Sequence, residues 1–173
     1  MPGPGEGPKL RALMTNTLEQ GKRVDSVSRV IAAPPARLYQ ALLDPEAVTK
    51  WLPPQGMKAR LRAFEPRPGG AYRLTLTYDE VHHAVPGKSS AHEDVVEGQF
   101  VELVPETRVV QRFEFESDDP AFAGRMTMTW TLTPVGAGTE VSIHCVDVPE
   151  GIRQEDHLVG MSSTLENLAA FVE

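Results

Sequence analysis

Histidines come first in a search for chemistry, because an imidazole gains and loses its proton near neutral pH. His82-His83 and His92-Glu93-Asp94 fall in or beside one polar stretch. A zinc ion would want three or four fixed ligands there, and the run HEDVV lacks the second histidine that a zinc-protease helix carries. Solvated loop residues are the simpler reading, and no metal site is assigned. His157 follows Glu155 and Asp156 and reads as a surface residue at the start of a helix. Cys145 is flanked by His144 and followed closely by Asp147, but adjacent strand residues point to opposite faces. His144 is therefore badly placed to activate the thiol, and a small buried apolar role is expected. Val85 to Ser90 ends like a phosphate-binding loop, yet the first glycine of that motif would fall at His82. No catalytic residue and no cofactor is assigned.

The remaining candidates are apolar, and elements must position them. Val27, Arg29 and Ile31 alternate with Ser26, Ser28 and Val30, which reads as a first strand. Pro34-Pro35 opens a short helix with Leu38, Ala41 and Leu42 on one stripe. Asp44-Pro45-Glu46 is an N-cap, a proline at the first helical position and an acid in the first turn, so a second short helix runs to Trp51 and stops at Pro53-Pro54. Strands follow around Leu61 to Phe64, Tyr72 to Tyr78, Val95 to Val104 and Val109 to Phe115, with turns at Gly69-Gly70 and Pro105-Glu106-Thr107. Met126 to Thr133 has the cleanest alternation, and Gly136-Ala137-Gly138 turns it into Thr139 to Val146. Leu158, Met161, Leu165, Leu168 and Val172 recur at helical spacing to the end.

One wet face and one buried face on each strand predict an antiparallel sheet covered on one side. The expected fold is α+β: a curved sheet of six to seven strands, two short helices, and a long C-terminal helix packed across it. By strand parity Tyr72, Leu74, Leu76, Phe113, Phe115, Met126, Met128 and Trp130 point inward. Met161 and Leu165 would face them from the helix, with Trp51 near one end. These residues either line an adaptable apolar pocket or simply fill the core. Gln111 shares the inward face. It could orient a polar group of a ligand, as could Tyr72 and Tyr78, or be satisfied by backbone. Glu97, Glu102, Glu114 and Glu116 are expected on the outer face.

Composition narrows the partners. The chain has 173 residues, with 17 Lys and Arg against 24 Asp and Glu, a formal charge of -7. Its length suits one domain, expected over residues 25–173 after a flexible, Pro- and Gly-rich extension over residues 1–24. An acidic chain with no Lys/Arg run disfavours nucleic acid. Apolar runs are far shorter than the roughly 20 residues that cross a bilayer, and the first residues lack a signal-peptide stretch, so a cytoplasmic protein without a membrane span is expected. A single cysteine excludes an internal disulfide.

The order of these elements resembles the START-like, or Bet v 1-like (SRPBCC), helix-grip superfamily. Within it the chain resembles the bacterial family named after the C-terminal domain of the activator of Hsp90 ATPase. The residues that carry the resemblance are Val30-Ile31-Ala32-Ala33-Pro34, Asp44-Pro45 with Trp51, Arg67-Pro68-Gly69-Gly70, Gly98 to Pro105, Gly138-Thr139-Glu140-Val141 and the Leu165/Leu168 helix. Two features depart from it: Gly160-Met161 stands where many relatives have Gly-Trp, and the loop from Asp79 to Glu93 is longer. The resemblance implies a binding module for a small hydrophobic or amphipathic molecule held between sheet and last helix. It implies as alternatives a cyclase- or dehydratase-type enzyme, and an interaction module for an Hsp90 homologue. Exposed strand edges permit a homodimer.

Overall fold

The computed structural model describes residues 23–53, 56–78, 93–115 and 117–173. The N-terminal tract, the histidines at 82, 83 and 92, Glu116 and the side chain of Tyr78 lie outside the described residues.

The chain begins with strand β1 (Val24–Ile31) and two short helices, α1 (Pro35–Leu43) and α2 (Pro45–Trp51). Six strands follow: β2 (Met57–Phe64), β3 (Ala71–Tyr78), β4 (Glu93–Val104), β5 (Arg108–Phe115), β6 (Met126–Val135) and β7 (Gly138–Val146). A long helix, α3 (Gln154–Val172), comes last. Local chemistry explains the boundaries. Asp44 accepts the Glu46 N–H at 3.0 Å and Pro45 opens α2, so the end of one helix caps the next. β2 begins four residues before the sequence pattern suggests. Its outward positions Lys58, Arg60 and Arg62 mask the alternation of Met57, Ala59 and Leu61 on the other side.

All neighbouring strands pair antiparallel in the order β1-β7-β6-β5-β4-β3-β2. The two short helices carry the chain from one edge of the sheet to the other, and a meander brings it back to β1. Register shifts between Leu61 and Ala63 and between Phe100 and Glu102 are bulges that add bend and twist. The concave face so formed carries the core, which α3 closes through buried Met161, Leu165, Leu168 and Val172. The convex face carries the carboxylates, as expected: Glu97 pairs with Arg73, Glu102 with Arg108 and Glu114 with Arg125.

Two glycines permit close backbone contact. A Cβ at Gly70 would lie 1.9 Å from the Glu65 carbonyl oxygen, within the turn that joins β2 to β3. A Cβ at Gly98 would lie 1.8 Å from the Arg112 carbonyl oxygen of β5. Gly98 also stands between Tyr72 and Phe113 in one cross-strand row. With no side chain between them, those two rings meet edge to face at 5.2 Å.

Gly98→Ala is therefore expected to force β4 away from β5 and to lower unfolding free energy by about 3 kcal/mol, read from urea denaturation. An unchanged midpoint would show that the two strands yield without cost.

A recess between the sheet and the last helix

Residues paired directly across antiparallel strands present their side chains on one face, so the site can be built row by row. One row runs Phe64, Tyr72, Gly98, Phe113, Met126. The next runs Phe100, Gln111, Met128, Cys145, Asp25. A third contains Val109, Trp130, Ile143 and Val27, and a fourth Leu61, Leu74, Val96 and Phe115. The rows form the floor of a recess of about 220 Å³, roofed by His157, Gly160, Met161 and Thr164 along one side of α3.

The structure gathers Trp51, Tyr72, Leu74, Leu76, Gln111, Phe113, Phe115, Met126, Met128, Trp130 and Met161 around this recess. Leu165 lies beyond it, fully buried in the closed part of the core. Trp51 packs edge to face on Trp130 at 5.6 Å, and its indole N–H donates to the Ala41 carbonyl at 3.0 Å. That bond fixes the ring at one end of the wall. Phe64, Tyr72 and Phe100 cluster at the other, with Phe100 edge to face on both Phe64 and Tyr72 and those two tilted against each other.

Polar side chains interrupt the apolar floor at Asp94, which is engaged in an interaction of its own, and at Gln111 and Tyr72. Gln111 is 7% exposed and Tyr72 4%, and neither its amide nor the Tyr72 hydroxyl has a hydrogen-bond partner among the described residues. No described side-chain nitrogen or oxygen is both sealed from solvent and unpaired, so both groups open on the recess. No backbone group pairs with the Gln111 amide among the described residues. Burial pushes the Tyr72 phenol pKa upward, so the hydroxyl keeps its proton and can donate.

His157 corrects the sequence reading. It is not a surface residue: its side chain is only 15% exposed, it lines the recess, and its Nδ1 lies 2.6 Å from Asp25 Oδ2. Asp25 itself is fully buried at an inward position of β1. Arg23 donates to both of its oxygens, at 3.1 and 2.8 Å, and Gln154 to Oδ1 at 3.0 Å. Arg23 also donates to the Ile152 carbonyl, just before α3. The signal missed in the sequence is the parity of β1, which puts Asp25 on the same side as Val27 and Ile31. An unshielded acid there demands a partner.

Burial raises the Asp25 carboxyl pKa, but hydrogen bonds from His157 and Arg23 and their charges outweigh it, leaving the group below 3.8. Beside it, burial and then the Asp25 charge push the Cys145 thiol upward. The cysteine is an inert core residue, as its alternation with His144 implies. Among the described residues no group of histidine, cysteine and carboxylate side chains could hold a metal ion. No helix among them is long and apolar enough to cross a membrane.

A carboxyl depressed by folding contributes stability that is present above its unfolded pKa and lost as pH falls through the folded one. Asp25→Asn should therefore destabilise the protein by about 3 kcal/mol near neutral pH. The gap to the native chain should narrow as pH drops below 3.8. Urea denaturation across that range checks it; a gap that stays constant would contradict the assignment.

The fold has solved counterparts. A protein from Chromobacterium violaceum is 35% identical with a TM-score of 0.76, the alignment covering 87% of this chain and 96% of that one. A protein from Rhodobacter sphaeroides, at 23% identity and TM-score 0.70, is covered over 90% of its length by 85% of this chain and shares the fold. So does the AHSA1-like protein from Aeromonas hydrophila, at 14% identity and TM-score 0.66, with 86% of this chain and 91% of that one aligned. Comparison with curated proteins finds no match. The family described as Activator of Hsp90 ATPase homolog 1-like protein matches residues 32–173, from the end of β1 through the last helix. This chain belongs to that family, with the SRPBCC fold its element order suggests.

Proposed function

We propose that this protein holds a small hydrophobic or amphipathic molecule in the recess between sheet and α3. The observation that carries the reading is the pair of unpartnered polar groups, on Gln111 and Tyr72, set in a wall of aromatic and methionine side chains. These atoms are not sealed from solvent, but an amide or hydroxyl that a ligand cuts off from water without pairing it costs about 1–3 kcal/mol. A ligand atom that pairs with it avoids that cost, while apolar burial supplies affinity at roughly 25 cal/mol per Å² before entropic losses. Met126, Met128 and Met161 suit a wall that adapts to its occupant. A cavity of about 150 Å³ takes benzene, and this recess of about 220 Å³ suits a fused two-ring compound or its equivalent.

A second reading, proton-transfer chemistry of the cyclase or dehydratase type, needs an ionisable side chain on the same recess, and His157 meets that need. The family's description brings a third, a chaperone partner. That reading rests on a name, whereas the first two rest on residues.

Native mass spectrometry of the purified protein, with thermal unfolding against a library of lipids and aromatic compounds, tests binding. A carried molecule or a raised Tm is expected. Consistently bare protein that nothing stabilises would remove the proposal. Gln111→Leu separates a recess-facing amide from a structural one. The empty protein should keep its stability or gain up to about 1 kcal/mol, while a ligand that pairs with the amide should bind about tenfold more weakly. Marked loss of stability in the empty variant would show that the amide serves the fold.

A further inference from the structure

The recess holds one polar group whose hydrogen-bonding role the surrounding chain dictates. Asp25 is held as a carboxylate by Arg23 and Gln154, and a carboxylate only accepts hydrogen bonds. The 2.6 Å contact with His157 Nδ1 therefore requires the proton on Nδ1. In the neutral ring that leaves Nε2 with a bare lone pair, and Nε2 has no partner among the described residues. Gln111 and Tyr72 can each donate or accept. The Thr164 hydroxyl has given its proton to the Gly160 carbonyl at an exposed position, and Asp94 is engaged in an interaction of its own, so any lone pairs these two still offer act in the same accepting sense.

We propose that His157, fixed by Asp25, is the specificity-determining acceptor of the recess, so that the protein selects apolar ligands presenting an O–H or N–H donor over ligands of the same shape that offer only an acceptor. This rests on the recess as a binding site and adds to it the class of molecule admitted. Asp25 acts as the positioning residue: it touches no ligand but fixes the ring and its tautomer, as a carboxylate behind an imidazole commonly does. Arg23 already pairs with Asp25, so the carboxylate is held in place whether or not a ligand is present. His157 also lies one turn before Gly160 and Met161 on the same side of α3, where a ligand entering beneath the helix would meet it.

Indole and benzofuran test this, because they have nearly the same shape and differ in a ring N–H against a ring oxygen. Titration calorimetry on the native protein should show indole binding about tenfold more tightly. In His157→Leu both compounds should still bind, with the preference reduced to near unity. Equal affinities in the native protein, or a preference that survives in His157→Leu, would overturn the assignment while leaving the recess as a binding site. Failure of both compounds to bind the native protein would overturn it together with the binding reading. Nitrogen-15 NMR of the histidine ring gives a readout independent of ligand: in mildly alkaline buffer His157 should be protonated on Nδ1 with a pyridine-like Nε2. The opposite tautomer would refute the proposal outright.

Discussion

A carboxylate fully removed from water stands at the edge of the sheet, and much of the architecture is arranged around satisfying it. Asp25 points inward from β1, and one arginine, one glutamine and one histidine converge on it. Two of those partners lie in the first turn of α3, and Arg23 also reaches the Ile152 carbonyl just before it. A buried charge left unpaired costs several kcal/mol, so the chain is strongly driven to place the start of α3 over β1 and not elsewhere on the concave face. The rest of the helix then follows its apolar stripe, and its far end is tied down where Glu173 accepts the Ala32 N–H. Anchored at both ends to β1 and its continuation, α3 closes that side of the concavity and leaves the side beneath β3 to β5 as recess.

Small residues shape this face as well as large ones. Gly98 removes one side chain from the row that would otherwise fill the middle of the floor, and Tyr72 and Phe113 close over the gap. At the mouth, a Cβ on Gly160 would meet nothing within 4 Å. Gly160-Met161 thus leaves an opening beside a flexible side chain, where a larger rigid residue would narrow it. Aromatic packing sets the walls: Trp51 is locked to a backbone carbonyl and braces Trp130, so that end has a fixed shape while the methionine floor can adjust.

Much of this fold could be read from the chain itself. The alternation in Met126 to Leu132 and the stripe from Met161 to Val172 made both layers legible, because in each the local periodicity and the buried face agree. β2 was harder, since lysine and arginine on its outer face obscure a short apolar alternation. Most of the strand-borne wall of the recess followed from parity, though Phe64 and Val96 were missed and Leu165 of the helix lies outside it. Its polar anchor did not follow. Asp25 and His157 lie 132 residues apart in sequence, and no local pattern signals their meeting; each on its own looks like a solvated residue. Parity of β1 carried a hint, but an acid near the start of a strand is ordinary until its neighbour across the sheet is known to be a buried cysteine.

Several inward positions break the local rule that this face be apolar, and the compensation takes three forms. Asp25 is repaid in full by charged and polar partners within the protein. Gly98 is repaid by ring contact across the empty position. Gln111 and Tyr72 form the third case: no protein group pairs with them among the described residues, and their polar atoms stay open to the recess. A sequence selected for stability alone would place leucine and phenylalanine there, keeping the volume and dropping the unpaired groups. Their retention is the observation on which the proposed binding role rests. With His157 presenting a ring nitrogen from the opposite wall, the polar groups face one another across apolar surface. A molecule that satisfies both walls must itself be apolar along its body and polar at its edges.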